Sequence, residues 1–483
     1  MDKLSNSINE NFKFFQQRLS HCEDIEFRIL NPYNIEGNEI VFIFCENIIN
    51  ELLIFETLFE KVIQNYPSKG KMVDESILSH VFPPTSIFFL DTIEDIISNL
   101  FYGYCVILFP NSNKAGLVCF SSKNFRTVTE PQSEVVIRGP KEGFVEVIRT
   151  NLALVRARIP SPNLKIRFKK VGSESQTCVA VVYMDNKVSL GILQKVLDRI
   201  DEIHIENTHD SGTIERFLEE HPFSLFPQIV TTERPDKVAS DVMEGRICII
   251  VDGSPCALIV PSTLKMFLQT SEDYYERFWL GATLRVVRVM ALLISILLPS
   301  FYIGVTSFHI EMLPTEFAIA IAMQKEGTPF SGFFEAVIME LFFELLREAG
   351  IRLPQPVGSA VSIVGGLVIG DAAIQAGIAS PAMVIVVALT GIANFAIPKY
   401  SFAIPLRILR FCLMITTAYL GLFGLMLGMV AIIVHITSLT SFGVPFFDLS
   451  FSSFKEVKDL IIPFHTKRSQ EQKKNNVYKV SEQ

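Results

Sequence analysis

No signature of a standard enzyme appears anywhere in these 483 residues. There is no GxxxxGK[ST], no GxGxxG behind a strand, no HExxH and no GxSxG. Phosphate cradling, zinc-assisted hydrolysis and elbow-type serine chemistry therefore have no scaffold here. Tryptophan is nearly missing, with Trp279 alone. None of the eight cysteines, Cys22, Cys45, Cys105, Cys119, Cys178, Cys248, Cys256 and Cys412, makes a CxxC pair. Most sit in apolar, strand-like runs, which argues against a disulfide framework and for free thiols in a reducing compartment. The opening MDKLSNSINENFKFF lacks the apolar core of an export signal, so the soluble part is expected to stay in the cytosol. A net charge of −8 argues against nucleic acid as a partner. The chain is expected to be no enzyme and to need no cofactor and no metal.

What is present is a division. Hydrophobic residues make up 49% of the chain and the mean hydropathy is +0.35, high for a soluble protein of this size. Residues 1–280 are mixed and charged like a globular protein, whereas 282–440 hold several long apolar runs. The fold class expected is multi-domain: a cytosolic α/β region of two subdomains, then an α-helical polytopic membrane domain. The boundaries read as 1–132 and 133–280 for the subdomains, 281–440 for the membrane domain and 441–483 for a basic polar tail.

Within the soluble part, DIEFRIL (24–30) alternates like a strand and EIVFIFC (39–45) reads as a buried strand. TIEDIISNLFYG followed by YCVILFP and AGLVCFSS reads as a helix ending in glycine and then a hairpin. The same unit recurs at PDKVASDVMEGRICIIVDGSPCALIVPS, with Gly245 in the place of Gly103 and Asp252-Gly253 at the hairpin turn. Between them, residues 133–172 start extended and continue as a basic helix through Arg149, Arg156 and Arg158. That helix is read either as a holder of anionic lipid heads or an acidic partner, or as a solvated face at a subdomain junction. His204 and His209 near Glu202, Glu206 and Asp210 fit no standard metal spacing, and a solvated acidic loop is the plainer reading.

The rest of the chain is organised around PQPVGSAVSIVGGLVIGDAAIQAGIASP (354–381), long enough to cross a bilayer and bracketed by prolines. On a helical wheel, Ser359, Ser362, Gly366, Gly370, Ala373 and Gly377 share one side. Val361, Val364, Val368, Asp371 and Gln375 share the other. Small residues let a second helix approach closely. An acid and an amide at membrane depth need protein or water beside them. Two readings stand: a helix of an assembled, pore-forming or gated protein, with the second stripe lining the pore, or an ordinary buried helix of a bundle.

Around it, a first span is expected at 284–307, with Arg277, Arg285 and Arg288 marking a cytosolic end and Trp279 an interfacial anchor. MLPTEFAIAIAM (312–323) is too short to span unaided. In FSGFFEAVIMELFFELLREA (330–349), Glu340, Glu344 and Glu348 lie four apart on one face. That face either lines a hydrated cavity and attracts cations or belongs to a helix lying at the membrane surface. Further segments fall at 383–398, with Asn394 inside it, and at 411–437. Lys399, Arg407 and Arg410 precede the last span, and a basic tail follows it, so the positive-inside rule cannot satisfy both ends. N-terminal region and tail are both expected inside.

At PQPVGSAVSIVGGLVIGDAAIQAGIASP, RGPKEGFVEVIRTNLALVRARI and the FW–GATLR lead-in, the sequence resembles the A subunit of GerA-type spore germinant receptors of Bacillus-like bacteria. The resemblance covers essentially the whole chain. It implies a subunit of the inner spore membrane, partnered by a transporter-like B subunit and a lipoprotein C subunit. It also implies a response to small nutrients that triggers germination with early release of ions. In that family view the B subunit binds the nutrient and the A subunit forms a homo-oligomeric conducting pore. Val361, Val364 and Val368 are then expected as a hydrophobic gate, with Asp371 concentrating cations beyond it. The alternatives are a transport protein in its own right, binding a solute at the helix breaks near Pro354 and Pro381, or a non-conducting scaffold subunit.

Overall fold

The computed structural model describes residues 3–31, 38–49, 54–64, 77–78, 87–120, 130–353 and 355–447. They form two compact units. One comprises residues up to 220 together with 229–261, and the other 221–228 together with the chain from 262 onward.

The first unit holds two antiparallel five-stranded sheets. Sheet one is made of β1 (Ile25–Leu30), β2 (Ile40–Cys45), β3 (Ile87–Leu90), β4 (Tyr104–Leu108) and β5 (Ala115–Cys119), in the spatial order β1-β2-β4-β5-β3. Its β2 sequence, IVFIFC, is buried at every position because both faces of the sheet are covered. Side chains alternate between the faces of a strand. Ile40, Phe42 and Phe44 accordingly enter one apolar cluster, with Ile54, Leu58 and Leu78. Val41 and Ile43 enter the other, against α1 (Ile8–Arg18) and α2 (Ile93–Phe101). Strand β4 divides the same way, Cys105 and Ile107 to one side and Val106 and Leu108 to the other.

Sheet two repeats the plan. Its strands β6 (Leu164–Val171), β7 (Thr177–Met184), β8 (Val230–Thr232), β9 (Ile247–Val251) and β10 (Ala257–Val260) lie in the order β6-β7-β9-β10-β8. Helices α3 (Ile148–Arg158), α4 (Leu190–Asp201), α5 (Ser211–Leu218) and α6 (Pro235–Met243) accompany it. The recurrence read in the sequence as one helix–hairpin element thus extends to a whole sheet. In each copy the first two strands pair, the third closes the far edge, and a helix leads into the central hairpin. That helix ends at Gly103 or Gly245, both with positive φ, 90° and 97°. A Cβ at Gly245 would stand 2.7 Å from the Lys187 carbonyl oxygen, so only glycine fits. Strands β3 and β8 went unread because they are short, four and three residues.

The basic helix α3 is not a free cationic face. Arg156 is fully buried where the two sheets meet, held by Asp24 through Nε–Oδ2 and Nη2–Oδ1 hydrogen bonds of 2.9 and 2.8 Å. Its Nη1 donates to the carbonyls of Ser161 and Leu164, and its plane lies 4.7 Å from the Phe101 ring centroid. Beside it, Ile166 exchanges backbone hydrogen bonds with His21 and Glu23. Arg149 and Arg158 are ion-paired with Glu46 and Glu142. The segment does lie at a junction, but not as the solvated face expected for it: Arg156 and most of the helix are buried.

The second unit contains α7 (Phe278–Phe308), α8 (Thr315–Lys325), α9 (Gly332–Arg352), α10 (Gln355–Gln375), α11 (Pro381–Phe395) and α12 (Tyr400–Ser438). Two of these, α7 of 31 residues and α12 of 39, are long and apolar enough to cross a membrane. Helix α12 breaks at Gly421, where φ is 61° and ψ −150°. The expected boundary fell at 281, whereas this unit starts at Ser262 and takes in 221–228. There Gln228 accepts hydrogen bonds from the Ser262 and Ser441 hydroxyls, and Phe226 and Phe267 both pack on Phe402. Arg285 and Arg288, read as topology markers, both bond to Asp273. Most of the basic tail lies outside the described residues.

Removing one partner of a buried ion pair strands the other charge, which typically costs about 3–5 kcal/mol. Asp24→Ala is expected to destabilise the first unit by that amount in denaturant unfolding of the full chain. Adding Arg156→Leu is expected to restore part of the loss.

Candidate functional site: the polar face of helix α10 and the charges behind it

Along 370–377 the small-residue stripe is covered and the Asp371–Gln375 stripe is exposed. Ala373 is buried in a cluster with Ile303, Ala336, Met339 and Met383. A Cβ on Gly370 would lie 3.6 Å from Val384 of α11. Gly377 has φ of 66°, and a Cβ there would come within 2.6 Å of the Gly327 carbonyl oxygen. The small-residue side thus packs inside its own chain over this stretch. Gly366 is different: nothing lies within 4 Å of where its Cβ would be. On the other side Val368 is 57% exposed, and Asp371 and Gln375 are exposed and bonded to each other at 2.7 Å. No described part of this chain covers that face. The side chains of Ser359, Val361, Ser362 and Val364 lie outside the described residues.

The three aligned glutamates of α9 are each ion-paired. Glu340 is buried and receives Arg410 Nη2 at 2.7 Å. Glu344 takes Arg407 Nη1 at 2.7 Å and is also paired with Arg347. Glu348 is paired with Arg352 at 2.6 Å. Neither reading of this face anticipated that arginines of α12 neutralise it. The signal was in the sequence: Arg407 and Arg410, three apart on one apolar helix, match Glu340 and Glu344, four apart on another. Arg410 also reaches the Ser295 carbonyl, and Asn394 bonds the Ser295 hydroxyl at 3.3 Å.

In the first unit the histidine-rich loop gathers no metal ligands; among the described residues no group of three or more His, Cys, Asp or Glu could hold an ion. Asp210 instead caps α5, accepting from the Ser211 and Gly212 amides and the Ser254 hydroxyl. One turn on, burial pushes the Glu215 carboxyl up to about 7, with repulsion from Glu219 and Asp210 adding to it.

A family model described as Bacillus/Clostridium GerA spore germination protein matches residues 13–475. The chain belongs to the GerA spore germination family. It is 38% identical to spore germination protein KA of Bacillus subtilis (strain 168), over 95% of this chain and 84% of that one. It is 42% identical to spore germination protein A1 of the same strain, over 77% and 78%. An uncharacterized membrane protein of that strain, YfkQ, is 37% identical over 95% and 89%. Among solved structures, the N-terminal domain of the A subunit of the Bacillus megaterium spore germinant receptor GerK3 aligns at 25% identity and a TM-score of 0.43, covering 54% of this chain and 97% of that one. The resemblance drawn from the α10 and RGPKEGF segments thus holds across nearly the whole GerA-family chain.

Two outcomes are expected from this geometry. Ala373→Leu overpacks a closed face and lowers thermal stability by about 1–3 kcal/mol, whereas Val368→Leu on the open face changes it by less than about 0.5 kcal/mol. Second, the folded chain keeps a proton on Glu215 between pH about 4.5, the ordinary value, and about 7, where the unfolded chain has released it. Its contribution to stability therefore falls as pH rises through that window and is level above it. Comparing unfolding of Glu215→Gln with the parent from pH 4.5 to 8 checks this; the substitution flattens the decline.

Proposed function

We propose that this chain is the membrane subunit of a nutrient germinant receptor that triggers spore germination, and that it oligomerises to form or gate an ion-release path. It does so without enzymatic chemistry or a cofactor. The observation that carries the reading is the outward face of α10, where Val368, Asp371 and Gln375 are left open beside a closed small-residue face. A carboxylate on a helix set among apolar helices needs water or protein beside it. Copies of the chain arranged about an axis supply both, with Asp371 forming a ring that concentrates cations.

Val361, Val364 and Val368, about one to three turns before Asp371, form the apolar constriction in this reading. A narrow apolar ring empties of water and blocks ions; a small widening rewets it. The trigger comes from the partners: a transporter-like B subunit that binds the nutrient and a lipoprotein C subunit, in the inner spore membrane, with the large N-terminal region in the cytosol. To turn the gate from 1:99 closed to 99:1 open, nutrient binding must favour the open form by about 5.5 kcal/mol. The family membership supports the germination role, and the two long apolar helices support the membrane setting.

The test is reconstitution of the purified chain in liposomes, with oligomeric size and ion flux recorded beside Asp371→Ala. The expected result is a ring-sized oligomer whose cation-over-anion preference drops several-fold in the variant. A conducting oligomer with unchanged selectivity would remove Asp371 from the pore wall.

A further inference from the structure

Behind α10 lies a second polar group that the ion pairs of α9 and α12 do not reach. Glu335, near the start of α9, is 0% exposed. Its Oε2 accepts from the Ser380 amide at 2.8 Å, but Oε1 has no hydrogen-bond partner. The Tyr302 hydroxyl from α7 is buried and faces Glu335 and the Ser380 side chain. The Lys325 ammonium stands on the rim. It donates to Thr306 Oγ1 at 3.2 Å and lies 5.8 Å from the Tyr302 ring centroid, making no ion pair with Glu335. At Gly332, one turn before Glu335, a Cβ would lie 3.4 Å from Lys325 Nζ and 3.6 Å from Ser307 Oγ, in ordinary contact with both.

An ionised carboxylate oxygen buried without a donor or a cation is costly. A cation bound to Oε1 satisfies that oxygen and the Tyr302 hydroxyl together. The donor set selects the ion. One carboxylate with neutral hydroxyls suits a monovalent alkali cation, whereas protein sites for Ca²⁺ combine several carboxylates and carbonyls.

We propose that Glu335, Tyr302 and Thr306, closed by the Ser380 turn, form a buried site for one monovalent alkali cation, with Lys325 as its tethered competitor. When Lys325 swings onto Glu335 the site is filled by the protein's own ammonium; when it rests on Thr306, as here, the carboxylate is free for Na⁺ or K⁺. The site joins α7, α8, α9 and the turn after α10, so its occupancy ties those elements together. The proposal is independent of whether α10 lines a pore.

The test is thermal unfolding of the purified full-length protein in detergent, at constant ionic strength, with N-methyl-D-glucamine chloride replaced stepwise by NaCl or KCl. The apparent Tm is expected to rise by about 2 °C at ten times the half-saturating concentration of the alkali ion. The rise is expected to vanish in Glu335→Gln. In Lys325→Met it persists, with half-saturation at a several-fold lower concentration. Tyr302→Phe keeps the carboxylate and raises the half-saturating concentration several-fold, which tests the site if Glu335→Gln does not fold. Identical curves in the organic cation and the alkali salts, a rise that survives Glu335→Gln, or stabilisation by CaCl₂ alone would each overturn the proposal.

Discussion

An arginine keeps its charge in any protein environment, so a guanidinium set among apolar helices must be met by an acid. Much of the second unit is arranged around that requirement. Arg410 is buried on α12 and is ion-paired with Glu340 of α9; Arg407, three residues earlier, is tied to Glu344. These pairs fix the register of α9 against α12. The 39-residue α12 is thereby anchored at its N-terminal half, while its C-terminal half is set off by the break at Gly421. With α9 fixed, α10 and α11 pack against it through small residues, and the remaining face of α10 is turned outward.

The same logic appears in the first unit. Two five-stranded sheets with the same strand order are joined by a buried arginine, Arg156, gripped by Asp24 from the other sheet. Apolar contact alone does not select one docking angle, whereas a bidentate ion pair admits few. The repeated sheet makes up most of the first unit, and the ion pair makes a defined body from two copies of one plan.

Much of this was legible in the sequence, and the misses have a common cause. Strands such as IVFIFC and ICIIV announce themselves because burial on both faces demands unbroken apolar runs. The two-sided character of α10 was legible because helical period and residue size act locally. The roles of Arg156, Arg407 and Arg410 were not. Each reads as a surface or topology charge, since what a charge meets across the fold is absent from its neighbours in sequence. Glu335 reads in the sequence as one more glutamate on an apolar segment; what its carboxylate meets depends on Ser380, 45 residues on. Family resemblance rested on long matched segments and so survived these local misreadings.

The central claim is that the Val368–Asp371–Gln375 face of α10 meets water inside an assembly while the Gly370–Ala373–Gly377 face is closed. It is tested most directly by placing single cysteines along 366–377 of the membrane-embedded chain and measuring their rates of modification by a small, charged, membrane-impermeant thiol reagent. The account predicts fast modification at 368, 371 and 375 and slow modification at 370, 373 and 377, a helical period in reactivity. Uniform protection along the helix would place that face in lipid or protein, and uniform reactivity would mean that α10 is not a packed helix in the membrane; either would contradict the account.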